Sequence, residues 1–395
     1  MRILSILLFS PPSRVYGGAE RQMHSLHKGL VAKGIEVHVL ANIERVGAVV
    51  QDYESVKVWG FKVPKPRRVM FHPMNGPFYA DMRRMVKFVK EKIGRVDLVQ
   101  ATPFREPGIF AYWISKELGI PWIARVACSG SHGDFNFISK NWLAKKLLSR
   151  VTSSCSAIVV LEEETWREAM VSGIAEEKIK IIPNAVILGD IPSLERVKDE
   201  PASGVILFSG RLEPQKRPEC LVRGYGCFRA MWKGNENEEP PKLKILGGGK
   251  PHYIEALSAE TNISDCIEFI GHRERIEPFL SEALCLVNPS ESEGLPNAVL
   301  EACAFGVPVI LSDIPVHRRI AMETGMEQYL FPVGDDRILA ERLFAFFKLP
   351  KGERIEKRAL SAQFGQRFSK ENRDKGYIEL YERVTMEEKN RRNVD

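Results

Sequence analysis

Short apolar runs and segments of helical period alternate along almost the whole of this sequence, and that order leaves few folds open. Ile3–Phe9, Glu36–Leu40, Leu98–Gln100, Trp122–Ala124 and Ile158–Leu161 read as strands. Between them, Ala19–Lys33 carries Met23, Leu26 and Leu30 on one helix face. Pro77–Ile93 carries Phe78, Met82, Met85, Val89 and Ile93 as an apolar stripe. Strand and helix in strict succession predict an α/β protein with parallel sheets.

The alternation pauses at Ile181–Val186 and again over Ile191–Gly204, a polar stretch with Pro and Gly that reads as a linker. It then restarts. Strands are expected at Val205–Phe208, Leu243–Leu246, Ile267–Ile270, Leu284–Val287 and Val307–Leu311, with helices at Pro218–Trp232, His252–Thr261 and Asn297–Phe305. A chain of 395 residues is too long for one ordinary core. The prediction is therefore two facing Rossmann-like domains with a cleft between them, residues 1–187 and 188–370. Ligands of such sheets lie beyond the carboxyl ends of the strands, so chemistry is sought in the loops that follow strands. No repeat of 20–50 residues is visible, which disfavours solenoids and propellers.

Residues 1–188 hold 27 Lys and Arg against 17 Asp and Glu, a balance of +10; the remainder holds 30 against 34, a balance of −4. The two halves are thus expected to face different partners. The apolar start, Met1–Ser10, is short, lacks a small-residue cleavage site and runs into Pro11-Pro12, so it reads as a first strand rather than a signal peptide. No run approaches the ~20 apolar residues that span a bilayer. Seven scattered cysteines without Cys-x-x-Cys (128, 155, 220, 227, 266, 285 and 303) read as reduced thiols of a cytoplasmic protein.

Three loops carry chemistry. The first, Ser10–Arg21 with Tyr16, Gly17 and Gly18, places paired glycines at a helix start, where backbone amides can approach an anion. A plain turn opening a helix explains it equally well. The second, Ser209-Gly210-Arg211-Leu212-Glu213-Pro214-Gln215-Lys216, sets a guanidinium and an ammonium five residues apart, which suits a diphosphate. Its bland alternative is a solvated basic loop. The third is the most specific: Asn288-Pro289-Ser290 ends a strand, then Glu293-Gly294-Leu295-Pro296-Asn297 opens a helix carrying Glu301. Glu293 and Glu301 can reach opposite ends of one elongated ligand. A chance pair of surface glutamates would explain neither the ordered Gly-Leu-Pro-Asn nor the apolar helix around Glu301.

Gly17–Arg21, Ile182–Ala185, Ser209–Leu212 with Lys216, and Glu293–Glu301 follow in the order and approximate spacing of the family-4 retaining glycosyltransferases. The stretch Gly294–Ala302 especially resembles bacterial enzymes of surface-polysaccharide and lipid-linked oligosaccharide synthesis. The resemblance runs from Ile3 to about Tyr381. It implies the GT-B fold, with donor on the C-terminal domain, acceptor on the N-terminal one, and residues 371–395 packing back on the N-terminal domain. By the same resemblance Arg211 and Lys216 bind the donor diphosphate, Glu293 the transferred sugar and Glu301 the ribose. Backbone around Gly17, Gly18, Ser209, Gly210, Gly294, Leu295, Pro296 and Asn297 lines the phosphates and sugar, and His272 with Arg273 marks the place of the base. His132 is the candidate for the family's N-domain histidine, with Ser129 or Asp134 as alternatives and Tyr16 also on the acceptor side. The family's usual Asn-Gly-Val-Asp stands here as Asn184-Ala185-Val186-Ile187, which removes a polar residue from that corner.

What the resemblance implies is transfer with retention from a nucleotide diphosphate sugar, UDP-linked, to a glycan or polyprenyl-diphosphate-linked acceptor. No metal or other cofactor is expected: the sequence contains no Asp-x-Asp to hold a cation, and the basic side chains replace it. A nucleotide-sugar epimerase or a phosphorylase on the same fold is the nearest alternative. A dinucleotide oxidoreductase lacks its Gly fingerprint here, and a dead binding protein would have lost Arg211, Lys216 or a glutamate. Nucleic acid is not an expected partner, because no reader motif accompanies the basic half. That half instead interleaves cations with apolar residues at Lys62–Arg68, at Arg83, Arg84, Lys87, Lys90 and Lys92, and at Asn141–Arg150. Such a pattern suits peripheral binding to an anionic membrane face.

Overall fold

A strand with apolar side chains pointing to both faces must be covered on both, and that requirement organises the first sheet. In β1 (Arg2–Phe9), Ile3, Leu4, Ile6 and Leu7 are at most 1% exposed. The computed structural model describes residues 1–10, 17–42, 50–61, 76–130, 133–135, 150–201, 204–232, 239–249, 251–260 and 263–394. It divides into two units, Met1–Ala185 with Lys370–Asp395, and Val186–Ser369.

In the first unit β1 lies between β2 (Glu36–Asn42) and β5 (Leu98–Thr102), both parallel to it. The full order is β3-β4-β2-β1-β5-β6-β7-β8, with β6 at Trp122–Arg125, β7 at Ala157–Val160 and β8 at Ile179–Ile181. Among the described residues only β3 (Val50–Tyr53) runs antiparallel, as a hairpin with β4 (Val56–Gly60). Its two-residue turn puts Glu54 and Ser55 at φ of 49° and 70°, the left-handed geometry that a tight hairpin requires. Glu54 is held there by His24 Nε2 at 2.8 Å and by the Lys28 ammonium at 3.1 Å.

Helix α1 (Gly18–Ala32) buries Met23, Leu26 and Leu30 as its spacing predicts. The expected Pro77–Ile93 helix is α2 (Gly76–Phe88), which widens into one π-helical turn over Val89–Ile93 and buries Met82, Met85, Val89 and Ile93. Its cations Arg83, Arg84, Lys87, Lys90 and Lys92 are exposed. Helices at Glu106–Leu118 and Glu163–Val171 complete the βα alternation.

The second unit has a five-stranded parallel sheet in the order β11-β10-β9-β12-β13. Its strands are β9 (Val205–Ser209), β10 (Leu243–Leu246), β11 (Ile267–Gly271), β12 (Ala283–Asn288) and β13 (Val309–Leu311). Phe208, Phe228, Phe331 and Phe346 form the centre of its core. Helices at Pro315–Thr324, Asp336–Phe347 and Lys351–Gly365 follow the last strand.

The closing helix, Lys370–Val394, belongs to the first unit. Tyr377, Leu380, Tyr381 and Val384 sit in the core formed with β1, β2 and α1, each at most 4% exposed. Tyr381 donates its hydroxyl to Gln100 Oε1. Arg373 Nη1 donates to Gln22 O at 3.2 Å and to Gln22 Oε1 at 3.0 Å. The same Gln22 carboxamide grips both backbone groups of Ala185, at 2.6 and 3.0 Å, so one buried side chain ties α1 to the unit's last loop and to its returning helix.

Candidate active site

In the second sheet β9 is flanked by β10 on one side and β12 on the other, both parallel to it, so the order in which strands are added reverses between β9 and β12. This is the topological switch point, where the loops beyond two adjacent strands diverge and leave a crevice. Those two loops are the Ser209–Arg217 and Pro289–Pro296 segments.

The first loop can lie so close to the sheet only because of glycine. Gly247, at the end of β10, has φ +152°, and a Cβ there would stand 1.7 Å from Gly210 O. Gly249 has φ +130° with Leu212 O 2.9 Å from its notional Cβ. Gly210 N donates to Leu246 O at 2.9 Å, and Leu212 N to Gly248 O at 2.8 Å. Arg211 therefore projects from a braced backbone. Its side chain is 56% exposed and meets Glu213 at 3.2 Å.

The two loops are stitched together. Glu291 N donates to Gln215 O at 3.0 Å, Gln215 Nε2 to Ser292 O at 2.8 Å, and Arg217 pairs with Glu291 at 2.5 Å. At the centre the Lys216 ammonium donates to Glu293 Oε1, with the two side chains 19% and 8% exposed. Glu293 Oε1 also accepts from Ser290 Oγ at 2.7 Å and faces Asn288 Nδ2 at 3.4 Å. Burial pushes the Glu293 carboxyl up, but the Lys216 charge and hydrogen bond, with help from Ser290, outweigh it and hold the group below the usual carboxylate range. An ionised carboxylate next to an ammonium, both largely out of water, can accept from hydroxyls and neutralise an anion at once.

Glu301 is the fifth residue of helix Asn297–Ala304 and is 2% exposed. That helix starts after Pro296 without a side-chain cap, in a loop where Gly294, Leu295 and Pro296 are buried. His272 and Arg273 follow β11 and are exposed; His272 Cβ lies 3.9 Å from the position a Gly248 Cβ would take, on the carboxyl edge of the sheet.

In the first unit Gly17 caps α1 and donates its amide to Glu20 Oε2 at 3.0 Å, with Gly18 the first helical residue. Tyr16 and His132 lie outside the described residues. Ser129 is 6% exposed and Asp134 1%. Asp134 Oδ1 accepts from Arg105 Nε at 2.7 Å and Oδ2 from Ala127 N at 2.8 Å, so its carboxylate clamps the loop after β6 to the loop after β5. Gly130 N donates to Glu168 Oε1 at 2.7 Å. The structure thus brings Lys216 and Glu293 into contact, leaves Arg211 exposed and paired with Glu213 on the same loop, and gathers Ser129 and Asp134 in the other unit.

Sequence reasoning missed Arg105, Glu168, Ser312 and His317, and quoted Asn288 and Ser290 in the third loop without giving them a role. A usable signal existed: Ser209, Ser290 and Ser312 each stand at or just beyond the carboxyl end of an apolar run, where polar side chains are otherwise unexpected.

A family model described as Glycosyltransferase Family 4 matches residues 16–189, and one described as Glycosyl transferases group 1 matches residues 192–363. An uncharacterised glycosyltransferase of Methanocaldococcus jannaschii is 24% identical, over 85% of this chain and 86% of its own length. A lipopolysaccharide 1,6-galactosyltransferase of Escherichia coli is 28% identical, over 41% of this chain and less than half, 44%, of that enzyme. Among solved structures, the Anabaena protein HepE in complex with UDP and glucose superposes with a TM-score of 0.72 at 15% identity, over 96% of this chain and 99% of that one. The two Rossmann-like units with parallel sheets are those of a GT-B glycosyltransferase. The chain belongs to glycosyltransferase family 4.

Proposed function

We propose that this enzyme moves a sugar, with retention and without a metal, from a UDP-linked donor to a glycan or polyprenyl-diphosphate-linked acceptor in polysaccharide or glycoconjugate synthesis. The observation that carries the reading is the buried Lys216–Glu293 pair, held between two loops at the switch point of the second sheet. Lys216 and Arg211 stabilise charge on the departing diphosphate, Glu293 accepts from hydroxyls of the transferred sugar, and Glu301 accepts from the ribose. The bond from the anomeric carbon to the diphosphate oxygen breaks while the acceptor oxygen bonds the same carbon from the same face. The acceptor's proton passes to a leaving phosphate oxygen, and UDP departs. The UDP and glucose bound in HepE and the lipopolysaccharide substrate of the Escherichia coli relative support the donor and acceptor classes.

Peripheral attachment at the inner face of a membrane is the companion proposal. It rests on exposed Arg83, Arg84, Lys87, Lys90 and Lys92, with Lys62–Arg68 and 141–149 outside the described residues. Among the described residues no helix is long and apolar enough to cross a membrane. The test is a panel of nucleotide sugars assayed in excess EDTA for slow hydrolysis and for thermal stabilisation. Selective hydrolysis of one UDP-sugar is expected; activity restored only by magnesium or manganese would overturn the metal-free reading, and free epimerised donor would overturn transfer.

A further inference from the structure

His317, the third residue of helix Pro315–Thr324, is fully buried, which is unusual for a polar ring on a helix that follows an edge strand. Its Nδ1 lies 3.0 Å from Ser312 O and 3.1 Å from Ser312 Oγ. A carbonyl oxygen only accepts, so Nδ1 carries the proton and the neutral tautomer is fixed. Ser312 Oγ in turn donates to Ser290 O at 2.5 Å, and the Ser290 hydroxyl stands 2.7 Å from Glu293 Oε1 and 2.5 Å from Asn288 Oδ1, its one proton shared between the carboxylate and the amide oxygen of the same turn. Ser290 and Ser312 are each 0% exposed. The connection does not conduct protons, because Ser312 ends on the Ser290 carbonyl while a different Ser290 atom serves Glu293. It is a tether that fixes the loop on which Glu293 stands. The charges around the ring are those of Glu293, Lys216 and Asp313. Burial, partly opposed by Glu293, drives the imidazole down to about 4, so the ring stays neutral through the physiological range.

We propose that His317 is a positioning residue for Glu293, acting through Ser312 and Ser290 to set the carboxylate's place against the donor sugar. The inference rests on the reading above that Glu293 touches that sugar. A neutral ring suits the task, since it supplies a hydrogen bond without adding a second cation beside Lys216.

The experiment measures two quantities on the full chain: affinity for UDP alone, and hydrolysis of UDP-glucose, UDP-galactose and UDP-N-acetylglucosamine. Asn places an amide nitrogen near the position of Nδ1, whereas Gln places one near Nε2. His317→Asn should therefore keep kcat/KM for the hydrolysed sugar within about threefold, while His317→Gln and His317→Leu lose about tenfold or more. Affinity for UDP, which lacks the sugar, should change by no more than about twofold in all three. Adding His317→Leu to Glu293→Gln should cost nothing further, because members of one network are not additive. Ser312→Ala keeps the carbonyl that anchors the ring but removes the hydroxyl bond to Ser290, so it should reproduce the His317→Leu loss even if the latter folds poorly. A full additional loss in the double variant, or a fall in UDP affinity matching the fall in sugar-nucleotide hydrolysis, would overturn the tether and leave a role in folding alone. If the wild-type chain neither binds UDP nor hydrolyses any of the three sugars, the functional reading fails first and the inference with it.

Discussion

Each unit gathers a carboxylate and a cation beyond the carboxyl ends of its strands, but the two pairs are built differently. In the first, Asp134 spends both oxygens on its own scaffold, one on Arg105 and one on the Ala127 amide. In the second, Lys216 and Glu293 stand on two loops diverging from the switch point, and the Lys216 ammonium donates to the one carboxylate of Glu293. An ammonium has three donors and a carboxylate about four acceptor sites. A carboxylate bound by its own scaffold through both oxygens holds structure; an ammonium with donors beyond its ion-pair partner can also hold an anionic ligand. The same contrast shows in the unit cores. The first unit depends on a returning helix tied by Gln22, Arg373 and Tyr381, while the second closes on aromatic packing around Phe228 and Phe346.

The largest effect expected from this contrast is at the ligand-facing pair. Lys216→Ala should cut donor turnover by at least ~100-fold. It should also cost about 3–5 kcal/mol of stability, because the buried Glu293 carboxylate loses its ammonium. Asp134→Asn should instead lower stability by about 1–3 kcal/mol while donor hydrolysis stays near wild type. Hydrolysis kinetics and denaturant midpoints check both. A Lys216→Ala protein with normal turnover, or an Asp134→Asn protein that folds but cannot hydrolyse the donor, would erase the distinction.

Next in size is the returning helix. Tyr381→Ala removes a fully buried ring and its bond to Gln100, and should cost about 3–5 kcal/mol. The loss should fall on the first unit, read as an early transition in calorimetry or as hydrogen exchange confined to residues of β1, β2 and α1. A single transition shifted as a whole would mean that the two units melt as one.

Acid should weaken both units, through one histidine in each. Burial drives His27 down to about 3 and His317 to about 4, against 6.5 for an exposed ring. Unfolded chains therefore take up protons first as pH falls. Stability is fully present above pH 6.5 and is lost through the window down to those values, by about 2 kcal/mol per histidine at pH 5. The variants should separate the units. Among the described residues neither His27 ring nitrogen has a hydrogen-bond partner, so His27→Leu should stabilise at pH 5 and cost little at pH 8. His317→Leu, which abandons Ser312, should lower stability at pH 8. Equal responses of the two variants would contradict the assignment of partners.

The smallest effect concerns the hairpin. Ser55 has φ of 70°, which costs a non-glycine residue about 1–2 kcal/mol, so Ser55→Gly should raise first-unit stability by up to about 1 kcal/mol. An unchanged or lower midpoint would show that contacts of Ser55 repay the strain.

That hairpin marks where sequence reasoning stopped. Nothing between Val50 and Gly60 announces a tight turn, since the turn residues are Glu54 and Ser55 rather than Asn-Gly, and it is the contacts of Glu54 with α1 that hold the geometry. The π-helical turn at Val89–Ile93 was equally silent, because its apolar spacing is also that of an α-helix. Helices at Glu106–Leu118 and Pro315–Thr324 went unassigned, as did the pair after them. Buried strands, by contrast, announced themselves. Ile3–Leu7 and Val205–Phe208 are apolar at nearly every position, and only a sheet covered on both faces accommodates such runs.

The sequence by itself determined the α/β class, because strand and helix periods are local properties that survive in any window of a dozen residues. It also singled out Lys216, Glu293 and the glycines near them, since a loop after a strand is where such residues can act. Only the tertiary structure decided that Lys216 meets Glu293 rather than Glu213 or Glu219, and that Ser290, Ser312 and His317 converge behind that pair. Those residues stand 74 to 101 positions from Lys216, and Ser290 and Ser312 are 22 apart, across strands that are neighbours only in the folded sheet. Hydrogen bonds reach about 3 Å, and no local pattern encodes which distant strand ends are brought that close.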